Sequence, residues 1–269
     1  MGGGWIMRAG STKLRAEKEP GQYIHSPPRI QQSGATPMSD FAAIREAAYA
    51  ANMALNQAGL VVASFGNASA IDRAAGVFAI KPSGVPYAEL TPASMVVMDL
   101  DMQVVDGSMR PSSDTNTHAV LYREFANIGG IAHTHSTHAV AWAQALRDIP
   151  VYGTTHADHL TVPVPCTALM EDERIRGDYE IETGRQIVDH FRANRLSAAE
   201  VEMVLVGGHG PFTWGTSAAK AVYHSVILEE IARMAALTEQ LNPSVAPLKE
   251  SLIDKHWQRK HGEGAYYGQ

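Results

Sequence analysis

The chain is short of cysteine, of net positive charge and of long apolar runs, and each shortage removes a class of answer. A single cysteine, Cys166, among 269 residues excludes an internal disulfide framework and any CxxC zinc or redox site. That fits a reducing compartment, and a cytoplasmic location is the expectation. Cys166 itself reads as a small apolar core residue in preference to a nucleophile. Lys and Arg number 22 against 28 Asp and Glu, a net charge of −6, which argues against a broad electrostatic footprint for nucleic acid or an anionic membrane. No apolar run approaches the ~18 residues of a membrane-spanning helix, so no membrane partner is expected. Neither GxxxxGK[ST] nor GxGxxG occurs, which disfavours nucleotide cradles, and the lack of HExxH weakens a metallohydrolase reading. What is present is 45% hydrophobic and 19% charged residues, the balance of a globular chain whose length suits one large domain or two small ones.

Residues 1–38 carry Arg8, Lys13, Arg15, Lys18 and Arg29 against Glu17 and Glu19, with glycines, Pro27-Pro28 and little hydrophobic periodicity. They read as a disordered extension without the apolar core of a secretory signal, and Met38 suggests an internal start or an appended segment. From Ser39 or Asp40, read as a cap, Phe41, Ile44, Ala48, Met53 and Leu55 recur near helical spacing up to Gly59. Short β-like runs follow at 60–64, 68–72, 77–81, 95–100 and 103–106, punctuated by turn residues, and predict a largely antiparallel meander. Helical stretches at 115–126, 137–146, 181–194 and 217–240 then alternate with apolar runs at 130–135 and 203–207. That order implies a mixed sheet with helices packed on it, in one domain spanning 39–269.

Five of the twelve histidines, His133, His135, His138, His156 and His159, fall within 27 residues, a density for which a core has no use. A strand through Gly130 to His135 puts the His133 and His135 rings on one face, close enough to share a cation. Further ligands are needed, and the candidates are Asp114, just before a helix, and His209, in a glycine-rich turn. Three imidazoles and a carboxylate suit zinc best and leave manganese, iron or cobalt open. Asp114 also reads as an ordinary helix cap and His209 as an exposed turn residue. Lys81-Pro82-Ser83-Gly84 and Ser112-Ser113 offer hydroxyls and backbone N–H groups to an anion, the second at a helix start, and Gly66-Asn67 is placed to close the same pocket.

Gly66-Asn67-Ala68-Ser69, Ile80 to Gly84, Pro111 to Thr115, His133-Thr134-His135-Ser136, Gly153 to Asp158, Gly208 to Phe212 and the ending Asp254-Lys255-His256 through Gln269 together resemble the class II aldolase and epimerase family. The resemblance runs from about residue 41 to the C-terminus. It implies a three-layer α/β/α sandwich around a mixed, mostly antiparallel sheet, assembled as a homotetramer with active sites between subunits. It implies one zinc ion per subunit on Asp114, His133, His135 and His209. Gly66, Asn67, Ser83, Gly84, Ser112 and Ser113, with Lys81 close by, match substrate and phosphate contacts. Asp158 and Tyr267 match an acid/base pair, the tyrosine acting in a neighbouring subunit's site. Without the resemblance Asp158 is a turn carboxylate and Tyr267 a terminal aromatic.

Within the family the motifs are most similar to those of enzymes that invert C4 of L-ribulose 5-phosphate, in the L-arabinose and L-ascorbate routes. Direct deprotonation at C4 would leave an unstabilised anion. Opening and re-forming the C3–C4 bond avoids it, since the charge then falls on an enediolate that a divalent metal can hold. Family aldolases that cleave fuculose phosphate typically carry Glu where this chain has Asp114, which favours epimerisation. Adducin-like relatives keep the fold without the metal site and would make this an interaction protein. One departure from close relatives is Gly207, where another histidine is common. His256 reads as a phosphate contact or a surface residue, and His138, His156 and His159 as orienting or structural groups.

Overall fold

The computed structural model describes residues 41–267, so the extension at 1–38 and the cap expected at Ser39 or Asp40 lie outside the described residues. Helix α1, Ala42–Gln57, starts after Phe41, which makes no side-chain cap, and buries Ala48, Ala51, Asn52 and Leu55 at helical spacing. The run at 60–64 is not a strand. Leu60 is buried, but Val62 is 69% exposed and Ala63 adopts a φ of 53°, a left-handed backbone that no ladder accepts.

Strands β1 (Asn67–Asp72), β2 (Val77–Ile80), β3 (Val96–Asp99) and β4 (Val104–Asp106) form the expected antiparallel meander. After it come α2 (Thr115–Glu124), β5 (Gly130–His133), α3 (Thr137–Gln144), the short helices α4 (Thr154–Ala157) and α5 (Asp172–Ile175), and α6 (Tyr179–Ala193). The chain continues through β6 (Met203–Val206), β7 (Gly210–Gly215), α7 (Ala218–Leu241) and α8 (Glu250–His261). Among the described residues the strands make one seven-stranded sheet in the order β4-β3-β2-β1-β5-β7-β6. Every pairing between these strands is antiparallel, and the parallel component is an isolated bridge between Cys166 and Leu205 at the β6 edge.

The sequence does not predict strand β7, because Gly207 to Pro211 reads as a turn and proline is rare in a central strand. Here the turn is 207–209, and Pro211 sits opposite Leu205 inside the ladder. Successive residues of the inner strands enter two different cores. Phe78, Ile80, Val96, Met98 and Ile131 pack with α2 and α6 on one face. Val77, Ala79, Val97 and Ala132 pack with α1 and the start of α7 on the other. Alternation between two covered faces is what makes the sandwich three layers deep. Cys166 is buried and its thiol is pushed up to about 11 by burial, which bears out the core reading.

Candidate active site

The sheet register sets the first side chains of the site. Asn67 of β1 lies opposite His133 of β5, which lies opposite Phe212 of β7, so three strands align these residues at one end of the sheet. His133 stacks on Phe212 with centroids 4.2 Å apart, and its Nδ1 donates to the Pro211 carbonyl at 2.9 Å. A carbonyl only accepts, so Nδ1 carries the proton and Nε2 keeps a lone pair. Proline at 211 therefore contributes through its oxygen.

Strand β5 stops at His133, so His135 reaches the site from the short link to α3 and not, as expected, from a continued strand. The two rings still meet, with Nε2 atoms 3.1 Å apart. His209, in the turn between β6 and β7, completes a set in which one ligand atom from each of His133, His135 and His209 lies within 4.8 Å of the others. Burial, with the nearby His133, pushes the His209 imidazole down to about 4. Neutral imidazoles with converging lone pairs repel one another unless a proton or a cation lies between them, and a divalent cation fits this donor set.

Asp114 occupies the N-cap position of α2 but makes no cap hydrogen bond. Its Oδ2 accepts from the Asn67 amide at 2.6 Å. Burial opposes its ionisation, but His133, His118, His209 and the Asn67 amide together hold the carboxyl below the usual carboxylate range. Asn67 is buried, and its Oδ1 has no partner among the described residues, which leaves one acceptor unused beside the imidazoles. His118, one helical turn beyond Asp114, is fully buried, and burial pushes it down to about 3; it holds Ser69 Oγ at 2.7 Å. Gly66 has a φ of +76°, and a Cβ there would stand 3.0 Å from the His133 carbonyl oxygen and 2.8 Å from Val61, so the chain turns into β1 where only glycine fits.

These groups line a cavity of about 380 Å³ together with Lys81, Ser83, Gly84, Ser112 and Ser113. All eleven residues assigned to metal or substrate from the sequence face one space. The backbone pins its phosphate-like wall, since Ser83 N–H donates to the Arg110 carbonyl and Ser112 N–H to the Lys81 carbonyl. Lys81 is less free than expected. Its buried ammonium donates to the Ser64 and Pro82 carbonyls at 3.2 and 3.4 Å over the Tyr87 ring, leaving one of its three N–H groups uncommitted. Ser64, Phe65, Tyr179 and Glu180 also line the cavity. Nothing in their sequence spacing marks them; Tyr179 and Glu180 are simply the first residues of α6, and Tyr179 OH stands 3.5 Å from His209 Nδ1.

Asp158 and Tyr267 do not line this cavity. They form a second group, with Arg259 of α8 between them. Asp158 accepts from Arg259 at 2.8 and 3.1 Å and from His256 Nδ1 at 3.0 Å, and the guanidinium lies 4.1 Å over the Tyr267 ring. Burial raises the Asp158 carboxyl, but the hydrogen bonds from Arg259 and His256 outweigh it and hold the group below its ordinary value. His256 therefore pairs with Asp158, and in this chain it neither lines the cavity nor stands free at the surface.

Residues 46–236 match the model of the family described as Class II Aldolase and Adducin N-terminal domain. A protein named L-ribulose-5-phosphate 4-epimerase UlaF from Salmonella paratyphi B is 46% identical over 226 residues, which is 84% of this chain and 98% of that protein. Its namesake from Salmonella typhi matches to the same extent. Among solved structures, an L-fuculose 1-phosphate aldolase superposes with a TM-score of 0.67 at 20% identity, covering 81% of this chain and 95% of its own. An aldolase of the same name from Glaciozyma antarctica PI12 gives 0.65 at 17% identity, with 83% and 84% covered. At such identities the structural likeness is one of fold. With most of its length matched by the family model and 46% identity to these relatives over 226 residues, the chain belongs to the class II aldolase and adducin N-terminal domain family.

Proposed function

We propose that the protein is an isomerase that converts L-ribulose 5-phosphate to D-xylulose 5-phosphate by inversion at C4, as the names of its 46%-identical relatives suggest. The observation that carries the reading is the set of three converging imidazoles, with the Asp114 carboxylate beside them, in one cavity with two anion-cradling turns. We assign one divalent cation, zinc, to His133, His135, His209 and Asp114. When bound, it supplies positive charge against which the enediolate charge develops as C3–C4 opens. The catalytic unit is a single domain, residues 39–269, working in the cytoplasm on arabinose-derived or related pentulose phosphates.

The chain's own groups do the rest. The hydroxyls of Ser83, Ser112 and Ser113 and the backbone N–H groups of Gly84 and Ser113 bind the 5-phosphate, helped by the positive end of α2, by Gly66 and by the free N–H of Lys81. Asn67 Oδ1 accepts a substrate hydroxyl. One of Asp158 and Tyr267 takes the proton of the C4 hydroxyl as the C3–C4 electron pair moves to C3, leaving an aldehyde. The aldehyde turns while its phosphate stays held, the C3–C4 bond re-forms on the opposite face, and the other group returns the proton to the C4 oxygen. Because Asp158 and Tyr267 stand outside the cavity of their own chain, we assign them to the metal centre of a neighbouring subunit in a homotetramer.

An aldolase would perform the same cleavage and release the aldehyde. Asp114, where family aldolases typically have Glu, favours the epimerase, and the intact histidine set disfavours a metal-free adducin-like role. The test is to incubate the protein with L-ribulose 5-phosphate before and after chelation. D-xylulose 5-phosphate should form without free glycolaldehyde phosphate, stop after chelation and resume when Zn2+ is returned. Accumulating aldehyde would make the protein an aldolase, and turnover unaffected by thorough chelation would refute the metal centre.

A further inference from the structure

We infer that Glu229, on α7, is a positioning residue for His135, acting through the start of α3. The inference rests on the metal centre proposed above. His135 is exposed, and its ring is in contact mainly with other candidate ligands and, at 6.2 Å, the Phe65 ring. Its place is therefore set by its backbone, a three-residue link between the end of β5 at His133 and the start of α3 at Thr137.

The β5 side of that link is fixed by the sheet and by the Thr134 N–H on the Pro211 carbonyl. The α3 side lacks the usual local device, because Ser136, at the N-cap position, makes no cap hydrogen bond within its helix. A carboxylate from ninety residues further along the chain replaces it. Glu229 Oε1 accepts the His138 N–H at 2.9 Å and His138 Nδ1 at 2.8 Å, while Oε2 accepts the Ala139 N–H at 3.0 Å. Two of the helix's otherwise orphaned amides are thus held by a negative group at the positive end of α3. The side chain is 17% exposed and comes from a helix that packs on both β5 and β7, so the clamp ties α3 to the strands that carry the other two histidines or border them.

Capping helices from a distance is structural in itself; what makes this one a device of the site is that His135 lies two residues before the clamped turn. Loss of the clamp should leave the sheet-borne His133 in place and loosen His135. Three variants separate the possibilities. Glu229→Ala removes the carboxylate. Glu229→Gln keeps its volume but presents an NH2 group to one of the two amides. Leu228→Ala opens a cavity from the neighbouring, buried position of the same helix and lowers stability without touching the clamp.

Zn2+ affinity is measured by chelator competition and the visible bands of the Co2+-loaded protein are recorded, alongside thermal unfolding. Both Glu229 variants should raise the Zn2+ Kd about tenfold, as losses behind a ligand do, and shift the Co2+ bands. Leu228→Ala should lower Tm while leaving affinity and spectrum as in the wild type. Unchanged affinity in Glu229→Gln, or an equal loss in Leu228→Ala, would overturn the positioning role while leaving the metal centre standing. A wild-type protein that binds neither ion would overturn both.

Discussion

Buried His224 pairs with Glu202, whose side chain is 25% exposed. His224 Nδ1 donates to the Trp214 carbonyl at 2.7 Å, so Nε2 of the neutral ring bears the lone pair and accepts from protonated Glu202 Oε2, 3.1 Å away. Burial pushes the Glu202 carboxyl up to about 7 against the pull of Lys220, and burial pushes His224 down to about 4. The unfolded glutamate loses its proton near pH ~4.3. Between there and about pH 7 the folded state holds a proton that the unfolded state has released, so this group's contribution is full below the window and is lost as pH rises through it. Glu202→Gln donates to His224 at every pH. It should unfold at nearly the wild-type urea midpoint at pH 5 and at a higher midpoint than wild type at pH 8; an offset independent of pH would show that the pair does not titrate in this way. At this scale much of the site was legible. His133 and His135 stand out by density and spacing and His209 by its glycine-rich turn, whereas Glu229 and Tyr179 are a carboxylate and a phenol on helices, with no pattern to mark them.

Between elements, the site depends on how tightly the loops enter the sheet. The turn into β1 passes so close to the end of β5 that a Cβ on Gly66 would press on the carbonyl of His133. Gly66→Ala combines a left-handed backbone with overpacking and should cost about 2–4 kcal/mol. Because the strain falls on a residue proposed to hold the metal, Zn2+ affinity should fall as well. Urea unfolding of the metal-free protein and chelator competition measure the two effects, and a variant that matches wild type in both would mean that the turn has room the geometry denies. The meander β1–β4 could be read because turn residues punctuate its short β-like runs, and α1, α2, α3, α6 and α7 as helical stretches, whereas α8 carries no such signal in the reading above. Strand β7 could not, since its glycine and proline signal a turn while the ladder from β5 and β6 overrides them. The run at 60–64 errs the other way, with apolar residues that pack on α1 in turns without pairing.

Across the whole molecule, residues assigned to one reaction divide into two groups. The imidazoles, Asp114 and the two serine-bearing turns share a cavity, while Asp158 and Tyr267 are gathered by Arg259 at α8. Periodicity and motif spacing contain no information about which groups meet across subunits; the family resemblance implies a neighbouring site for Tyr267, and the folded chain adds that Asp158 stands with it outside the cavity. In the proposed function a metal-holding half and a proton-moving half come together between chains to epimerise L-ribulose 5-phosphate. The most direct measurement is to co-express His135→Asn and Tyr267→Phe subunits under different tags and assay the mixed oligomers. Each variant alone should be nearly inactive, with Tyr267→Phe retaining its metal. Random assembly around a ring should restore about a quarter of wild-type turnover, because one neighbour pair in four unites two intact halves. Mixed oligomers no more active than either parent would contradict the claim.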